Sequence, residues 1–267
     1  MEDRVEMVGE YMNEHRVSFM GVPIDAMTLE QTVEHIIDRI QEGLPTQHVA
    51  INPGKIIRMM EDEEIREIVH QCEVISTDGV GVYWFSKMLG CPIPERVTGI
   101  DLMDKLLARA AHLGLKPYFL GAKQEVVEKS VAFYQKKYPT LEFAGFRNGY
   151  FSEGEERGIA EDIGRSGASM LFVAISSPKK EQFLGRWRDV INIPYVMGVG
   201  GSFDVISGTV QRAPKWMQRI GLEWSYRWMQ EPKRMARRNL VDTPKFVALA
   251  LASKWTGLEV PGVKPRG

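Results

Sequence analysis

Apolar runs alternate with amphipathic stretches along the first 210 residues of the chain. The apolar runs are short and lack strict alternation, which is typical of strands buried on both faces of a parallel sheet. The predicted strands are 48–52, 73–77, 117–121, 141–146, 169–177 and 195–199. Between them apolar residues recur at helical spacing, and the predicted helices are 28–41, 56–72, 102–112, 126–138, 155–163 and 180–190. Strands and helices in alternation predict an α/β fold with a doubly wound, mostly parallel sheet flanked by helices.

The pattern changes after residue 210. Residues 212–239 are predicted to be helical, with a large apolar residue at every fourth position: Trp216, Ile220, Trp224 and Trp228. Pro232 is expected to break or kink this helix, and further helical turns are expected after Pro244. We therefore divide the chain into an α/β domain, residues 1–210, and a C-terminal helical appendage, residues 211–267.

Charge is distributed unevenly between these two segments. The whole chain carries a formal net charge of −1, which argues against a protein that binds nucleic acid through bulk charge. Ten Lys and Arg residues stand against three Asp and Glu residues between Gln211 and Lys254, and four of the six tryptophans lie beyond Gln211. Cationic side chains are attracted to an anionic membrane and Trp prefers its interface, so the appendage is predicted to lie on a membrane surface. The alternative is that the tryptophans belong to the core or to a dimer interface and that the charges form a solvated face.

Other features bear on location and cofactors. Two cysteines, Cys72 and Cys91, fit a reducing compartment, and the charged stretch 1–16 lacks the apolar segment of a secretory signal. The apolar run 246–252 is too short to span a bilayer. We expect a cytoplasmic protein that is peripherally associated with the inner face of the cell membrane. The sequence has no His-Glu-x-x-His, paired Cys-x-x-Cys or Asp-x-Asp motif, so neither a metal nor another cofactor is expected.

Ligands of doubly wound sheets bind at the carboxyl ends of the strands, so the residues that follow each strand are the candidates for a site. Asn52 follows the first strand, where it either caps the next helix or faces a ligand. Asp78 follows the second strand and precedes Gly79 and Gly81, which allow a substrate or another backbone to approach closely. A carboxylate in this position is suited to act as a general base, and a plain helix cap is an equal alternative.

The loops after the next strands offer contacts to phosphate and to a nucleoside. Gly121 and Ala122 open a helix whose free backbone N–H groups can receive a phosphate. Tyr150 follows an Asn-Gly pair and is a candidate for stacking on a nucleobase, with a mere turn as the alternative. Lys180 lies at the start of a helix, where a cation is unfavourable, so a phosphate, the adjacent Glu181 or solvent is expected to compensate its charge.

A glycine turn follows the sixth strand. It contains Gly200 and Gly201, and Asp204 comes three residues after Gly201. The turn is similar to half of a dinucleotide fingerprint, but that fingerprint follows the first strand of its fold. A nicotinamide site is therefore not expected, and the turn is better suited to carry Asp204 toward a ribose or a base.

Taken in order, the segments that follow the strands resemble a known family. They include Thr77-Asp78-Gly79-Val80-Gly81 and Met197-Gly198-Val199-Gly200-Gly201-Ser202-Phe203-Asp204. The other matching segments are 22–25, 52–53, 94–102, 120–122, 148–151, 178–181, 212–214 and 221–224. Each segment is weak alone, but their number and order make the chain similar to the WecG/TagA/CpsF glycosyltransferases, glycosyltransferase family 26.

This resemblance implies a metal-independent, inverting glycosyltransferase of cell-surface polysaccharide synthesis. The implied donor is a UDP-sugar, carrying N-acetylmannosamine or its uronic acid, and the implied acceptor is a sugar on a polyprenyl diphosphate. Asp78 corresponds to the family's proposed general base, and Asn52 is the second catalytic candidate. The loops at Gly121, Tyr150, Lys180 and 200–204 would hold the uridine and the diphosphate.

Several alternatives stay open beside this interpretation. The donor could be UDP-glucose or UDP-glucuronic acid for an exopolysaccharide, or the protein could be a regulator that binds a nucleotide sugar without turnover. Lys180 stands where many relatives have Gln, which bears on the identity of the donor sugar. Ala50 stands where Thr is frequent, which removes a hydroxyl near the site. Relatives also suggest a homo-oligomer that competes with membrane docking.

The basic appendage has a second expected role through its arginines. Arg212, Arg219, Arg227 and Arg234 could reach the diphosphate of the donor and stabilise the UDP leaving group. They would then do the work that a metal ion does in other transferases.

Overall fold

Six parallel strands form the central sheet. The computed structural model describes residues 15–91 and 93–256. Its strands, in chain order, are β1 Arg16–Phe19, β2 Val22–Asp25, β3 Thr46–Ile51, β4 Val74–Thr77, β5 Pro117–Gly121, β6 Gly145–Arg147, β7 Met170–Ala174 and β8 Tyr195–Gly198. The last six lie in the order β4-β3-β8-β7-β5-β6 with every neighbouring pair parallel. Their carboxyl ends therefore share one edge of the sheet.

Helices cover both faces of this sheet. In chain order they are α1 Leu29–Gln41, α2 Pro53–Glu61, α3 Glu63–His70, α4 Val80–Met88, α5 Gly99–Leu113, α6 Gln124–Lys137, α7 Glu156–Arg165, α8 Lys179–Ile191, α9 Ser202–Ile206, α10 Lys215–Arg219, α11 Glu223–Gln230, α12 Pro232–Arg237 and α13 Thr243–Thr256. Successive strand residues enter different cores: Phe119 packs with α1, α5 and α6, whereas Leu120 packs with α7 and α8. The predicted α/β fold with a doubly wound, parallel sheet and flanking helices is confirmed.

Local sequence signals explain where several helices begin and end. The Thr28 hydroxyl caps α1 and forms a reciprocal capping box with Gln31. Gly114 ends α5 in the left-handed conformation, with φ +68°. The single helix predicted over 56–72 is wrong, because Asp62 ends α2 and its side chain accepts a hydrogen bond from the Ile65 backbone to start α3.

An antiparallel hairpin of β1 and β2 precedes the sheet and was not predicted. Its strands are four residues each, too short to stand out as an apolar alternation. The Asp25 carboxylate accepts hydrogen bonds from the Arg16 guanidinium and from the Ile75 backbone. These bonds fix the hairpin against β4.

The appendage is less regular than predicted. The single helix predicted over 212–239 is replaced by three short helices, α10 to α12. A five-residue π-helix, Arg238–Asp242, follows them. The break lies near Pro232 as expected, but Pro214 and Gly221 add two more interruptions, and Gly221 has φ +75°. The turns expected after Pro244 are a full helix of 14 residues, α13.

The last helix of the appendage packs into the core of the α/β domain. Phe246 of α13 is fully buried. Its ring lies 6.4 Å from that of Phe19 in β1 and 5.5 Å from that of Phe85 in α4, centroid to centroid. None of the helices within 15–91 and 93–256 has the length and apolar character needed to cross a membrane.

Candidate active site

A cavity of about 520 Å³ opens at the carboxyl edge of β4, β3 and β8. The loops after these three strands, the start of α8 and residues of the appendage line it. Seven of the residues predicted for the site meet here: Asn52, Asp78, Lys180, Gly200, Gly201, Arg212 and Arg227. The cavity falls within the volume range of small-molecule sites.

The loops that carry Asn52 and Asp78 are packed tightly together. The backbone N–H groups of Asp78 and Gly79 both donate to the Ile51 carbonyl, at 3.0 and 3.2 Å. A Cβ on Gly79 would lie 2.6 Å from Pro53 Cδ and 2.9 Å from Asn52 Cα, so only glycine fits without displacement. The Asn52 Oδ1 accepts from the Lys55 backbone at 3.0 Å. Asn52 is therefore a helix cap whose amide nitrogen is what it can offer to a ligand.

Asp78 is a carboxylate without a hydrogen bond or ion pair to its side chain from residues 15–91 and 93–256. Burial raises the pKa of Asp78 above its ordinary value, and the nearby Glu223 and Asp101 act in the same direction. Arg96 and Arg238 oppose that shift. A carboxylate with a raised pKa is a stronger base once ionised, and its free oxygens can accept a proton.

Ion pairs join the appendage to the wall beside Asp78. Both terminal nitrogens of Arg212 lie 2.8 Å from oxygens of Asp101, and its Nε is 3.5 Å from Glu223. Glu223 also lies 3.6 Å from the Arg96 guanidinium. Arg212 lines the cavity as predicted, but two carboxylates already engage it.

Arg227 is held over the glycine turn after β8. Its guanidinium donates to the Gly201 carbonyl at 3.3 Å and to Glu231 at 3.1 Å. A side chain at position 201 would collide with this guanidinium. The predicted glycine turn is thus shaped by an arginine from the appendage.

A compact charged cluster forms the floor of the cavity. Lys55 and Lys180 both place their ammonium groups on the same oxygen of Glu181, Oε1. Burial raises the pKa of Glu181, but Lys180 and Lys55 outweigh it and hold that pKa well below its usual range. Burial lowers the pKa of Lys180 from its ordinary value, against the influence of Glu181. Glu181 is the compensating group expected for Lys180 from the sequence.

Six predicted residues lie outside the cavity lining. Asp204 and Arg234 pair with each other at 3.0 Å, and Arg219 is exposed on the surface. Gly121 and Ala122 lie at the same sheet edge but pack against Ala174 and against Gly149. Tyr150 is 70% exposed. Their contact with a ligand stays a prediction.

Three cavity residues escaped prediction as site residues. Arg96 and Glu223 lay in segments of the family resemblance but received no role. Arg238 lies in the π-helix Arg238–Asp242 and lines the cavity. No carboxylate of the described chain lies within ion-pair distance of its guanidinium. Short π-helical segments are frequent at functional sites. The sequence around this segment contains a run of basic residues but no pattern that predicts a π-helix.

The cavity as a whole is suited to an anionic ligand. Most of its cations face a carboxylate, whereas Arg238 faces none among the described residues and Lys180 shares one with Lys55. Within the described residues, no group of three or more His, Cys, Asp or Glu side chains is placed to hold a metal ion.

Comparison with known proteins gives this geometry a family. An N-acetylglucosaminyldiphosphoundecaprenol N-acetyl-beta-D-mannosaminyltransferase of Bacillus spizizenii is 34% identical over 203 residues, which are 76% of this chain and 77% of that protein. The protein of the same name from Bacillus subtilis is 29% identical over 241 residues, which are 90% of this chain and 88% of that protein. Residues 17–259 match the glycosyl transferase WecG/TagA/CpsF family over most of the chain, so the resemblance inferred from the sequence is confirmed. With its doubly wound sheet and its cationic cavity around Asp78, this chain is a glycosyltransferase and belongs to the WecG/TagA/CpsF family.

Proposed function

We propose that this enzyme transfers N-acetylmannosamine or its uronic acid from a UDP-sugar to N-acetylglucosamine on a polyprenyl diphosphate. The names of the two Bacillus relatives support the acceptor and the sugar. The observation that carries the mechanism is the unpaired carboxylate of Asp78 in a cavity lined by cations.

The reaction is a single displacement with inversion. Asp78 takes the proton of the acceptor hydroxyl, and the oxygen attacks the anomeric carbon of the donor sugar. The bond from that carbon to the β-phosphate oxygen breaks, and its electron pair leaves with UDP. General-base assistance of this kind contributes about 10²- to 10⁴-fold to the rate.

Arginines of the appendage stabilise the leaving group in this mechanism. UDP gains negative charge as the bond to the sugar breaks, and fixed cations lower the energy of that state. Arg227 at the glycine turn and Arg238 beside Asp78 line the same cavity and supply that charge. The site therefore needs no divalent metal, and addition of a chelator is expected to leave turnover unchanged.

The appendage also brings the enzyme to its lipid-borne acceptor. Large apolar side chains are exposed along it: Trp216, Ile220, Trp224, Leu240, Leu251 and Trp255. Trp84 of α4 is 55% exposed, and Gly221 of the appendage approaches its ring. Together with the basic residues of the appendage, this apolar surface is suited to the interface of an anionic membrane, on its cytoplasmic side.

The test is release of UDP from a panel of UDP-sugars, with and without polyprenyl-diphosphate-linked N-acetylglucosamine. We expect acceptor-dependent release from UDP-N-acetylmannosamine or its uronic acid. Asp78→Asn is expected to lower turnover by about 10²- to 10⁴-fold while UDP still binds.

Two results would contradict the proposal. Full turnover in Asp78→Asn would remove Asp78 as the base. UDP binding without release from any donor would favour a nucleotide-sugar regulator that has no turnover.

A further inference from the structure

The floor of the cavity carries an unbalanced charge. Lys55 and Lys180 share one carboxylate oxygen of Glu181, so the three ionised groups sum to one positive charge. The side chain of Lys55 is 7% exposed, that of Lys180 is 13% exposed and that of Glu181 is 4% exposed. The second oxygen of Glu181 is buried and has no hydrogen-bond partner in the described chain. That oxygen can only accept a hydrogen bond, whereas the net positive charge at the two poorly hydrated lysines favours an incoming anion.

The fold shapes this floor around Lys180 in particular. Gly198 ends β8 directly beneath it, and a Cβ there would lie 2.5 Å from Lys180 Cδ and 2.9 Å from Nζ. The absence of a side chain at this position therefore makes the space in which the ammonium rests. Lys180 is held at the cavity wall by its surroundings and does not extend freely into solvent.

Lys180 shares its cavity with the proposed base. Both Lys180 and Asp78 are among the residues that line it. A general base must be within hydrogen-bond reach of the acceptor hydroxyl, and that hydroxyl must meet the anomeric carbon. In the proposed mechanism the donor's sugar ring lies next to Asp78, in the cavity that Lys180 also lines.

We propose that Lys180 is a specificity-determining residue that selects a donor sugar bearing a carboxylate, a hexuronic acid, over a neutral hexosamine. This inference rests on the proposed function and narrows its donor. A sugar carboxylate neutralises the net positive charge that remains because Lys55 and Lys180 share one carboxylate, whereas a neutral sugar leaves that charge in place. A charge-assisted hydrogen bond of this kind corresponds to about 10- to 100-fold in affinity.

The test measures binding, so that it does not depend on a working acceptor. Titration calorimetry at fixed pH and salt would give the dissociation constants of UDP, UDP-N-acetylmannosamine and UDP-N-acetylmannosaminuronic acid. The proteins are the wild type, Lys180→Gln and the matched control Lys179→Gln. Lys179 is the adjacent residue of α8, but its ammonium donates to the Phe151 carbonyl and it does not line the cavity.

We expect the wild type and Lys179→Gln to prefer the uronic acid by about 10- to 100-fold, and Lys180→Gln to lose that preference. Equal affinity of the wild type for the two UDP-sugars would overturn the inference while UDP binding leaves the proposed function standing. Absence of UDP binding to the wild type would instead remove the proposed function. An equal loss for all three ligands in Lys180→Gln would show that Lys180 binds the diphosphate, which also overturns the inference. Thermal melting of each variant confirms that it is folded.

Discussion

Asp78 stands between two opposing sets of charges. Burial, Glu223 and Asp101 raise its pKa, and Arg96 and Arg238 lower it. Neither arginine forms a hydrogen bond with the carboxylate, so both oxygens of Asp78 are open to a ligand. On the proposed mechanism, the balance of these charges sets the pH at which the carboxylate is ionised and can act as the base.

The acid limb of kcat/KM reports that balance. Because the pKa of Asp78 is raised, activity should fall, as pH decreases, at a higher pH than for an ordinary aspartate with a pKa near 3.9. Arg96→Gln removes a cation that favours the ionised form, so its acid limb should move to higher pH. Glu223→Gln removes an anion and should move the limb to lower pH. Limbs that do not move in these opposite directions would show that another group limits the rate.

At the scale of elements, the site lies where the loops that follow β3, β4 and β8 pack against one another and against the appendage. The loop after β4 fits over the start of α2 because Gly79 has no side chain to meet Asn52 and Pro53. The appendage then closes the opposite wall through Arg227, which rests on Gly201. Gly79 and Gly201, two glycines of the family resemblance, thus serve close packing of neighbouring segments.

A pair of glycine substitutions tests this role. Gly79→Ala forces a Cβ against Pro53 and Asn52, and overpacking of this kind costs about 1–3 kcal/mol of unfolding free energy. Gly158 lies within α7, and a Cβ there meets nothing within 4 Å. Gly158→Ala should therefore stabilise the protein by about 0.5–1 kcal/mol through helix propensity. Urea unfolding measures both, and a neutral Gly79→Ala would show that the two loops can separate without cost.

The exposed apolar side chains of α10 and its C-terminal boundary give a second prediction at this scale. Trp216→Ala combined with Ile220→Ala removes side chains that are 60% and 49% exposed. Co-sedimentation with anionic vesicles should weaken by about 10-fold, because burial of such side chains in the membrane interface is lost. Phe133→Ala is the matched control, since Phe133 is 45% exposed on α6, away from the appendage. Equal binding of all three proteins would argue for the core or dimer-interface alternative.

The central strands of the molecule share one buried polar network. His48 of β3 bridges Tyr195 of β8 and Ser76 of β4, at 3.0 and 2.8 Å. Burial lowers the pKa of His48 to about 3. A histidine with a depressed pKa is neutral when folded, so its contribution to stability is complete above pH 6.5 and is lost as pH falls toward 3.

The consequence is a measurable dependence of global stability on pH. When the pH falls from 7.5 to 4.5, the His48 contribution alone should lower the unfolding free energy by about 3 kcal/mol. The reason is that His48 binds a proton in the unfolded state but stays neutral in the folded state. His48→Gln removes this titration and should reduce the pH dependence by the same amount. Denaturant titrations at the two pH values measure it. Identical pH dependence in both proteins would assign the effect to other groups.

Sequence patterns predicted the sheet because each buried strand is a short apolar run, and they predicted Asn52, Asp78 and Gly200 together because parallel strands end at one edge. They could not order the strands. β5 and β6 lie far from β4 in the observed order, so Tyr150 follows a strand at the other end of that edge. Arg238 was missed because it lies in the π-helix Arg238–Asp242, which no sequence period predicts. This π-helix places its guanidinium where the charge of Asp78 acts on it.

The helix α13, which packs into the core, and the arginines of the appendage are synthesised last. A ribosome makes Asp78 early, but Arg227, Arg238 and Phe246 emerge late. A nascent chain that has folded only its sheet holds a base without the cations of the opposite wall. On the proposed mechanism such a chain lacks the cations that stabilise the leaving UDP, so a chain truncated within the appendage is expected to show no turnover. The proposed active site is complete only once the appendage has been synthesised and has folded.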